Sequence, residues 1–221
     1  MASQSKNFIS IVALGGQNPQ IINVDFLKDN KIIPIDKAPF DQLFRQEKPA
    51  KKIILVPGLA NLVLGNIEFV IDEGRFQIRE TAISEWVETN IIDIAERYFE
   101  VLRFTPLKLV GVNLNSVITF ETLEEAGKFQ ELFLSKDSRL AGIVSKGDIT
   151  ASIVLRYPYS GQKNRVTLTI EQPNKENKKR IVNFNYEFDF TDWTNFRSEL
   201  DKISEIADYA DGIVDQLLKA I

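Results

Sequence analysis

The most constraining feature of the sequence is a strict two-residue alternation between Val182 and Phe190. Apolar or aromatic residues occupy every second position, namely Val182, Phe184, Tyr186, Phe188 and Phe190. The residues between them are Asn183, Asn185, Glu187 and Asp189. Because successive side chains of a strand point to opposite faces, this segment predicts a strand with one face in the core and the other in water.

Two further segments of the second half alternate in the same way, and short apolar runs predict the remaining strands. The alternating segments are 149–157 and 166–170. The other predicted strands are 8–14, 21–26, 52–56, 67–71, 75–79 and 107–120. Turn residues between the first two runs, and Gly74 between the fourth and fifth, predict hairpins and therefore antiparallel pairing.

Two segments have the three- and four-residue spacing of amphipathic helices. In the first, apolar residues recur from Ile83 to Leu102, and Pro106 ends the pattern. The second runs from about Asp192 to the last residue. Its apolar positions are Phe196, Leu200, Ile203, Ala207, Ala210, Val214, Leu217 and Ile221. We therefore predict two long amphipathic helices.

These elements together predict an α+β fold with antiparallel sheets. The halves 1–105 and 106–221 both have the order strand, short helix, three strands, long helix, which suggests a pseudo-duplicated β-α-β-β-β-α unit. The boundary falls near Thr105 and Pro106. This order of elements resembles the duplicated saddle-type folds of the TATA-binding-protein kind. The resemblance concerns architecture alone and implies no function.

The composition excludes several kinds of catalytic and metal site. The 221-residue chain contains no histidine and no cysteine. It therefore cannot form a Ser-His-Asp relay, a thiolate nucleophile, a disulfide, an iron–sulfur cluster or a zinc site built from these ligands. Carboxylates, lysines and hydroxyl groups are left for any chemistry, and we expect no cofactor.

The charge balance argues against generic polyanion binding. Lys and Arg number 27 and Asp and Glu number 31, which gives a net charge of −4. We therefore expect neither a nucleic-acid partner nor a membrane. The first seven residues lack the apolar core of a signal peptide, and we expect a cytoplasmic protein.

The first candidate site is the carboxylate pair Glu187 and Asp189, which share one face of a predicted strand. Mg²⁺ prefers oxygen ligands, so the pair could hold this ion and support phosphoryl chemistry without histidine. The alternative is a solvated strand face, where carboxylates are common.

The second candidate is a basic loop that precedes the same strand. Its cations are Lys175, Lys178, Lys179 and Arg180. The loop is either a contact surface or a hairpin tip whose charges keep the protein in solution.

The third candidate is the apolar seam of the last helix. Its candidate interface residues are Phe196, Leu200, Ile203, Val214, Leu217 and Ile221. A repeat of this kind packs either across the chain's own sheet or against a second copy, and the apolar width fits both arrangements.

Taken together, the sequence predicts a non-catalytic binding or assembly protein, such as a subunit of a larger prokaryotic complex. We expect a protein partner or self-association, because no catalytic constellation is visible. The alternative is a Mg²⁺-dependent phosphoryl-transfer or nuclease-like enzyme that uses Glu187 and Asp189.

Overall fold

A computed structural model of the protein describes residues 2–36, 40–47, 50–133, 152–159, 164–172 and 178–221. Its centre is one nine-stranded antiparallel sheet with the strand order β2-β3-β4-β5-β1-β6-β9-β8-β7. The strands are β1 (Ser3–Gly15), β2 (Ala50–Val56), β3 (Leu59–Leu64), β4 (Ile67–Asp72), β5 (Arg75–Thr81), β6 (Leu107–Thr119), β7 (Ser152–Pro158), β8 (Arg165–Glu171) and β9 (Lys179–Asp189). The α+β class and the antiparallel pairing predicted from the sequence are therefore confirmed.

Helices accompany the sheet in both halves. They are α1 (Val24–Asp29), α2 (Phe40–Leu43), α3 (Ile91–Val101), α4 (Leu123–Glu131), α5 (Trp193–Leu200) and α6 (Ile203–Lys219). Two 3₁₀ turns, Pro19–Ile21 and Trp86–Glu88, precede α1 and α3.

The two halves meet at the middle of the sheet, where β1 pairs with β6. Ile11 lies opposite Val112, and Val112 lies opposite Tyr186 of β9. In each half the last strand pairs with the first strand: β5 pairs with β1, and β9 pairs with β6. One continuous sheet thus crosses the boundary at Thr105 and Pro106, and an internal repeat stays a prediction.

The helices cover one face of this sheet. The ring of Phe76 on β5 lies 4.3 Å from Tyr98 and 4.9 Å from Phe99 of α3, and Phe196 of α5 lies 6.5 Å from Phe188 of β9. Side chains that point the other way are half-buried or exposed on most strands. We call this second side of the sheet the open face.

The two long helices are shorter than predicted. The helix expected from Ile83 begins at Ile91, because the Glu80 carboxylate accepts a hydrogen bond from the Asn90 backbone N–H at 2.8 Å and fixes the start there. This helix has 11 residues, and the C-terminal segment divides into α5 with 8 residues and α6 with 17.

The division between α5 and α6 coincides with a buried polar network around Glu199. Its carboxylate accepts hydrogen bonds from Lys202 Nζ at 2.9 Å, Tyr186 OH at 2.5 Å and Asn164 Nδ2 at 3.1 Å. Burial raises the pKa of Glu199, but the hydrogen bonds from Lys202 and Tyr186 outweigh it and hold this pKa below its ordinary value of 4.5. The network anchors the helix break to β9.

The predicted strand at 21–26 is wrong, because this segment forms a 3₁₀ turn and then α1. The Asn18 side chain accepts a hydrogen bond from the Gln20 N–H at 3.1 Å, and Asn23 accepts one from the Phe26 N–H at 2.8 Å. These two caps satisfy the backbone donors of a helical start, and they override the β-branched composition of the run.

Candidate binding surface

The centre of the open face is a patch of small, uncharged polar side chains. They come from β1, β6, β9 and β8 in two adjacent cross-strand rows. One row is Ser10, Asn113, Asn185 and Thr167, and the next contains Asn115, Asn183 and Thr169. We call these seven residues the central polar patch.

Hydrogen bonds connect the amides of this patch into a chain. Asn7 Nδ2 donates to Asn115 Oδ1 at 2.9 Å, and Asn115 Nδ2 donates to Asn183 Oδ1 at 3.4 Å. Asn183 Nδ2 in turn lies 3.5 Å from Asn113 Oδ1. Ser10 and Asn115 are buried although they lie on the open face. The amides are therefore held in defined orientations before any ligand arrives.

Gly111 of β6 makes room for one of these amides. A Cβ atom at position 111 would lie 3.1 Å from Asn185 Oδ1. The Asn185 amide occupies this space and donates from Nδ2 to Glu187 Oε1 at 2.8 Å. A side chain larger than glycine would displace the amide that links the central polar patch to the neighbouring charges.

Both predicted metal ligands lie on the open face, beside the patch. Arg165 of β8 lies between them, with Nε 3.6 Å from Glu187 Oε2 and Nη2 3.7 Å from Asp189 Oδ1. Within the ranges that the structure describes, no three acidic side chains form a group suited to a metal ion. The guanidinium offsets part of the negative charge of the two carboxylates.

A cavity of about 530 Å³ opens next to this ion pair. It is lined by Arg156, Tyr157, Pro158, Arg165, Thr167 and Glu187. Arg156 lies opposite Thr167, so both arginines border the central polar patch. Guanidinium groups donate several hydrogen bonds in a fixed plane, so this end of the open face suits carboxylates or backbone carbonyls of a partner.

The other half of the open face combines ion pairs with apolar side chains. Arg79 pairs with Glu68, and Arg75 Nε lies 3.3 Å from Asp72 Oδ2. The half-buried valines of this half are Val12, Val63 and Val70. The whole surface is thus nearly charge-balanced and has a polar centre, which suits a protein partner better than a polyanion.

The basic loop does not gather its cations on one surface. Lys175 lies outside the described residues. Lys178 Nζ donates to the Glu121 carbonyl at 2.6 Å, and Lys179 is exposed. Arg180 is buried on the helix-covered face, where Nη2 donates to the Ala126 carbonyl of α4 at 2.8 Å. Burial lowers the pKa of Arg180, and the residue ties α4 to β9.

The apolar seam packs within the chain. Phe196, Leu200, Ile203 and Val214 are buried in the core, Leu217 packs against it, and Ile221 is exposed. The structure therefore contains the intramolecular arrangement, which is one of the two alternatives that the sequence left open.

Sequence reasoning did not single out Asn113 or Asn115. The two asparagines alternate with Val112 and Leu114, which is the same pattern that marked β9. This shared pattern was the available signal for a polar patch across two strands. Arg165 could be placed next to the carboxylates only by the register between β8 and β9.

The chain matches neither a protein-family model nor a curated protein. In the described part of the chain, no helix combines the length and the apolar character needed to cross a bilayer.

Proposed function

We propose that the protein is a non-catalytic binding protein that holds a protein partner on its open face and contributes to a larger assembly. The observation that carries the proposal is the contrast between the two faces of one sheet. Helices cover one face, whereas the other carries the hydrogen-bonded central polar patch, in which Ser10 and Asn115 are buried and the remaining side chains are half-buried. We place the protein in the cytoplasm as part of the same proposal.

The residue types of the patch favour binding over simple solvation. Asn, Ser and Thr have short side chains, so fixing them in a complex costs less conformational entropy than fixing lysine or glutamate. Their amides and hydroxyls both donate and accept hydrogen bonds, which matches the mixed donors and acceptors of a protein surface. The flanking ion pairs of Arg165 and Arg79 add charge contacts with little net charge.

The alternative of a Mg²⁺-dependent phosphoryl-transfer or nuclease-like enzyme has less support. Such an enzyme would use Glu187 and Asp189 as oxygen ligands. The Arg165 guanidinium places a positive charge where the cation would bind, and like charges repel.

Site-directed photo-cross-linking in extracts of the native cells tests the proposal. A photoreactive residue replaces Thr169 in the central polar patch, and the matched control carries it at Asp208, an exposed position of α6. We expect the Thr169 variant to capture a discrete protein, and unmodified protein in excess should suppress the adduct. Equal capture from both positions, or no specific adduct from Thr169, would contradict the proposal.

A further inference from the structure

Strand β2 forms one edge of the sheet and exposes an unusual run of apolar side chains. Ile53, Ile54, Leu55 and Val56 are exposed by 53%, 40%, 47% and 50% respectively. Because neighbours along a strand point to opposite faces, the run is about half-exposed on both sides of the sheet. An apolar edge strand with free backbone groups is a template for pairing with another strand.

The register of the hairpin between β2 and β3 tells which backbone groups point outward. Val56 lies opposite Leu59, and the turn between them has two residues. Such a hairpin closes on a hydrogen-bonded pair, so Val56 and Ile54 direct their N–H and C=O groups toward β3. The corresponding groups of Ile53 and Leu55 therefore point away from the sheet.

We infer that the β2 edges of two copies of this chain pair antiparallel about a two-fold axis at Ile54. In this register Ile54 lies opposite Ile54 of the second copy, and Ile53 lies opposite Leu55 of the second copy. The outward N–H and C=O groups of Ile53 and Leu55 then form four hydrogen bonds. The apolar run of each copy covers the apolar run of the other.

The charges and the ends of β2 select this register. Lys52 lies opposite Val56 of the second copy, so the lysines of the two copies sit at opposite ends of the interface. A shift by two residues in one direction would place Ile53 opposite Pro57, which lacks an N–H. A shift by two residues in the other direction would place the charged Lys51 opposite the apolar Leu55 of the second copy.

The opposite edge of the sheet is a poorer match for β2. Strand β7 carries Arg156 and ends with Pro158. Charged residues and proline are the features that discourage pairing at sheet edges. The symmetric β2 contact closes after two copies, whereas a β2–β7 contact would continue into a fibre.

The pairing would place the two open faces on the same side of one joined sheet, since opposite residues of antiparallel strands share a face. The inference rests on β2 alone and does not depend on the proposed binding role of the central polar patch.

Because the chain has no cysteine, one introduced thiol can test the register. In an Ile54→Cys variant, the two equivalent Cα atoms would be about 4.5 Å apart, within the range of a disulfide. The matched control is Ile53→Cys, whose side chain is more exposed. Its equivalent Cα atoms would be roughly 8 to 9 Å apart, from the rise per residue and the strand spacing.

Under mild oxidation we expect the Ile54→Cys variant to give a covalent dimer and the Ile53→Cys variant to stay largely uncross-linked, as seen by intact mass. Equal cross-linking of both variants, or none at position 54, would overturn the inferred register.

The oligomeric state without cross-linking is measured by light scattering of the eluting protein. We expect a dimer, which Ile54→Lys converts to a folded monomer and Val154→Lys on β7 leaves intact. A monomeric wild type, an open-ended polymer, or dissociation by Val154→Lys alone would each contradict the inference. The photo-adduct at Thr169 reports a different protein, so failure of one experiment does not imply failure of the other.

Discussion

The sharpest stability prediction concerns Glu80, a charged residue that is only 3% exposed. Its carboxylate accepts hydrogen bonds from Thr89 Oγ1 at 2.6 Å and from the Asn90 backbone N–H at 2.8 Å. The side-chain amides of Asn66 and Asn90 donate to it at 3.2 and 3.3 Å. The residue thus joins β5, the turn between β3 and β4, and the start of α3.

Replacing Glu80 by alanine removes the acceptor of all four donors. The two asparagine amides can turn toward other partners, but the Asn90 N–H and the Thr89 hydroxyl are fixed by the backbone and the helix start. An unsatisfied buried donor costs about 1 to 3 kcal/mol, so the two fixed donors predict a loss of about 3 kcal/mol. For a chain of this size, such a loss lowers Tm by roughly 6 to 12 °C.

Glu80→Gln should cost less, about 1 kcal/mol, because the amide oxygen still accepts from one of the fixed donors. Urea denaturation followed by circular dichroism measures both variants, with Glu73→Ala at an exposed carboxylate as the control. If Glu80→Ala were as stable as Glu73→Ala, the carboxylate would not anchor the start of α3, and the reasoning would be refuted.

Three further predictions concern pH, packing and Mg²⁺. The pKa of Glu199 is lower in the folded state, so its ionised carboxylate stabilises the fold above about pH 4.5, and this stabilisation is lost as the pH falls through the folded pKa. Glu199→Gln should therefore flatten the acid limb of a plot of Tm against pH. An unchanged acid limb would count against the network. Gly15→Ala places a Cβ 2.0 Å from the Pro106 carbonyl oxygen and should lower the free energy of unfolding in urea by about 2 kcal/mol or more. The control Gly212→Ala has open space around it and should leave this free energy unchanged or raise it by up to about 1 kcal/mol. Mg²⁺ should not raise Tm beyond an ionic-strength control; a rise that Asp189→Asn abolishes would favour the enzyme alternative.

The parts of the fold that were predictable from sequence are those set by local periodicity. The alternation in β9 fixed which side chains face the core and which face water, and the structure confirms it for Tyr186 and Phe188. The start of α3 was not predictable, because Glu80 caps it from the end of β5, and a contact across a separation of 10 residues leaves no mark on the helical periodicity. The 21–26 error arose because two asparagine caps outweighed the apolar composition.

The candidate site was likewise predictable only in the part that local periodicity determines. Asn183, Asn185, Glu187 and Asp189 could be assigned to one solvent-facing side from β9 alone. Their neighbours Asn113 and Arg165 required the strand order, because β6 and β8 pair with β9 across a long connection and a loop respectively. The pair Glu187 and Asp189 suggested a metal site, and this interpretation loses support because the Arg165 guanidinium lies between the two carboxylates.

The position of β1 at the middle of the sheet has a consequence for how the chain folds. Of the nine strands β1 leaves the ribosome first, yet Ile11 pairs with Val112, about a hundred positions later. Its second neighbour, β5, is also synthesised long after it. The flanks of β1 therefore stay unpaired until β5, which ends at Thr81, and β6, which ends at Thr119, have been synthesised, and such distant pairing is slow. We expect slow folding, and β1 is the segment through which an incomplete chain would associate with chaperones or with other nascent chains.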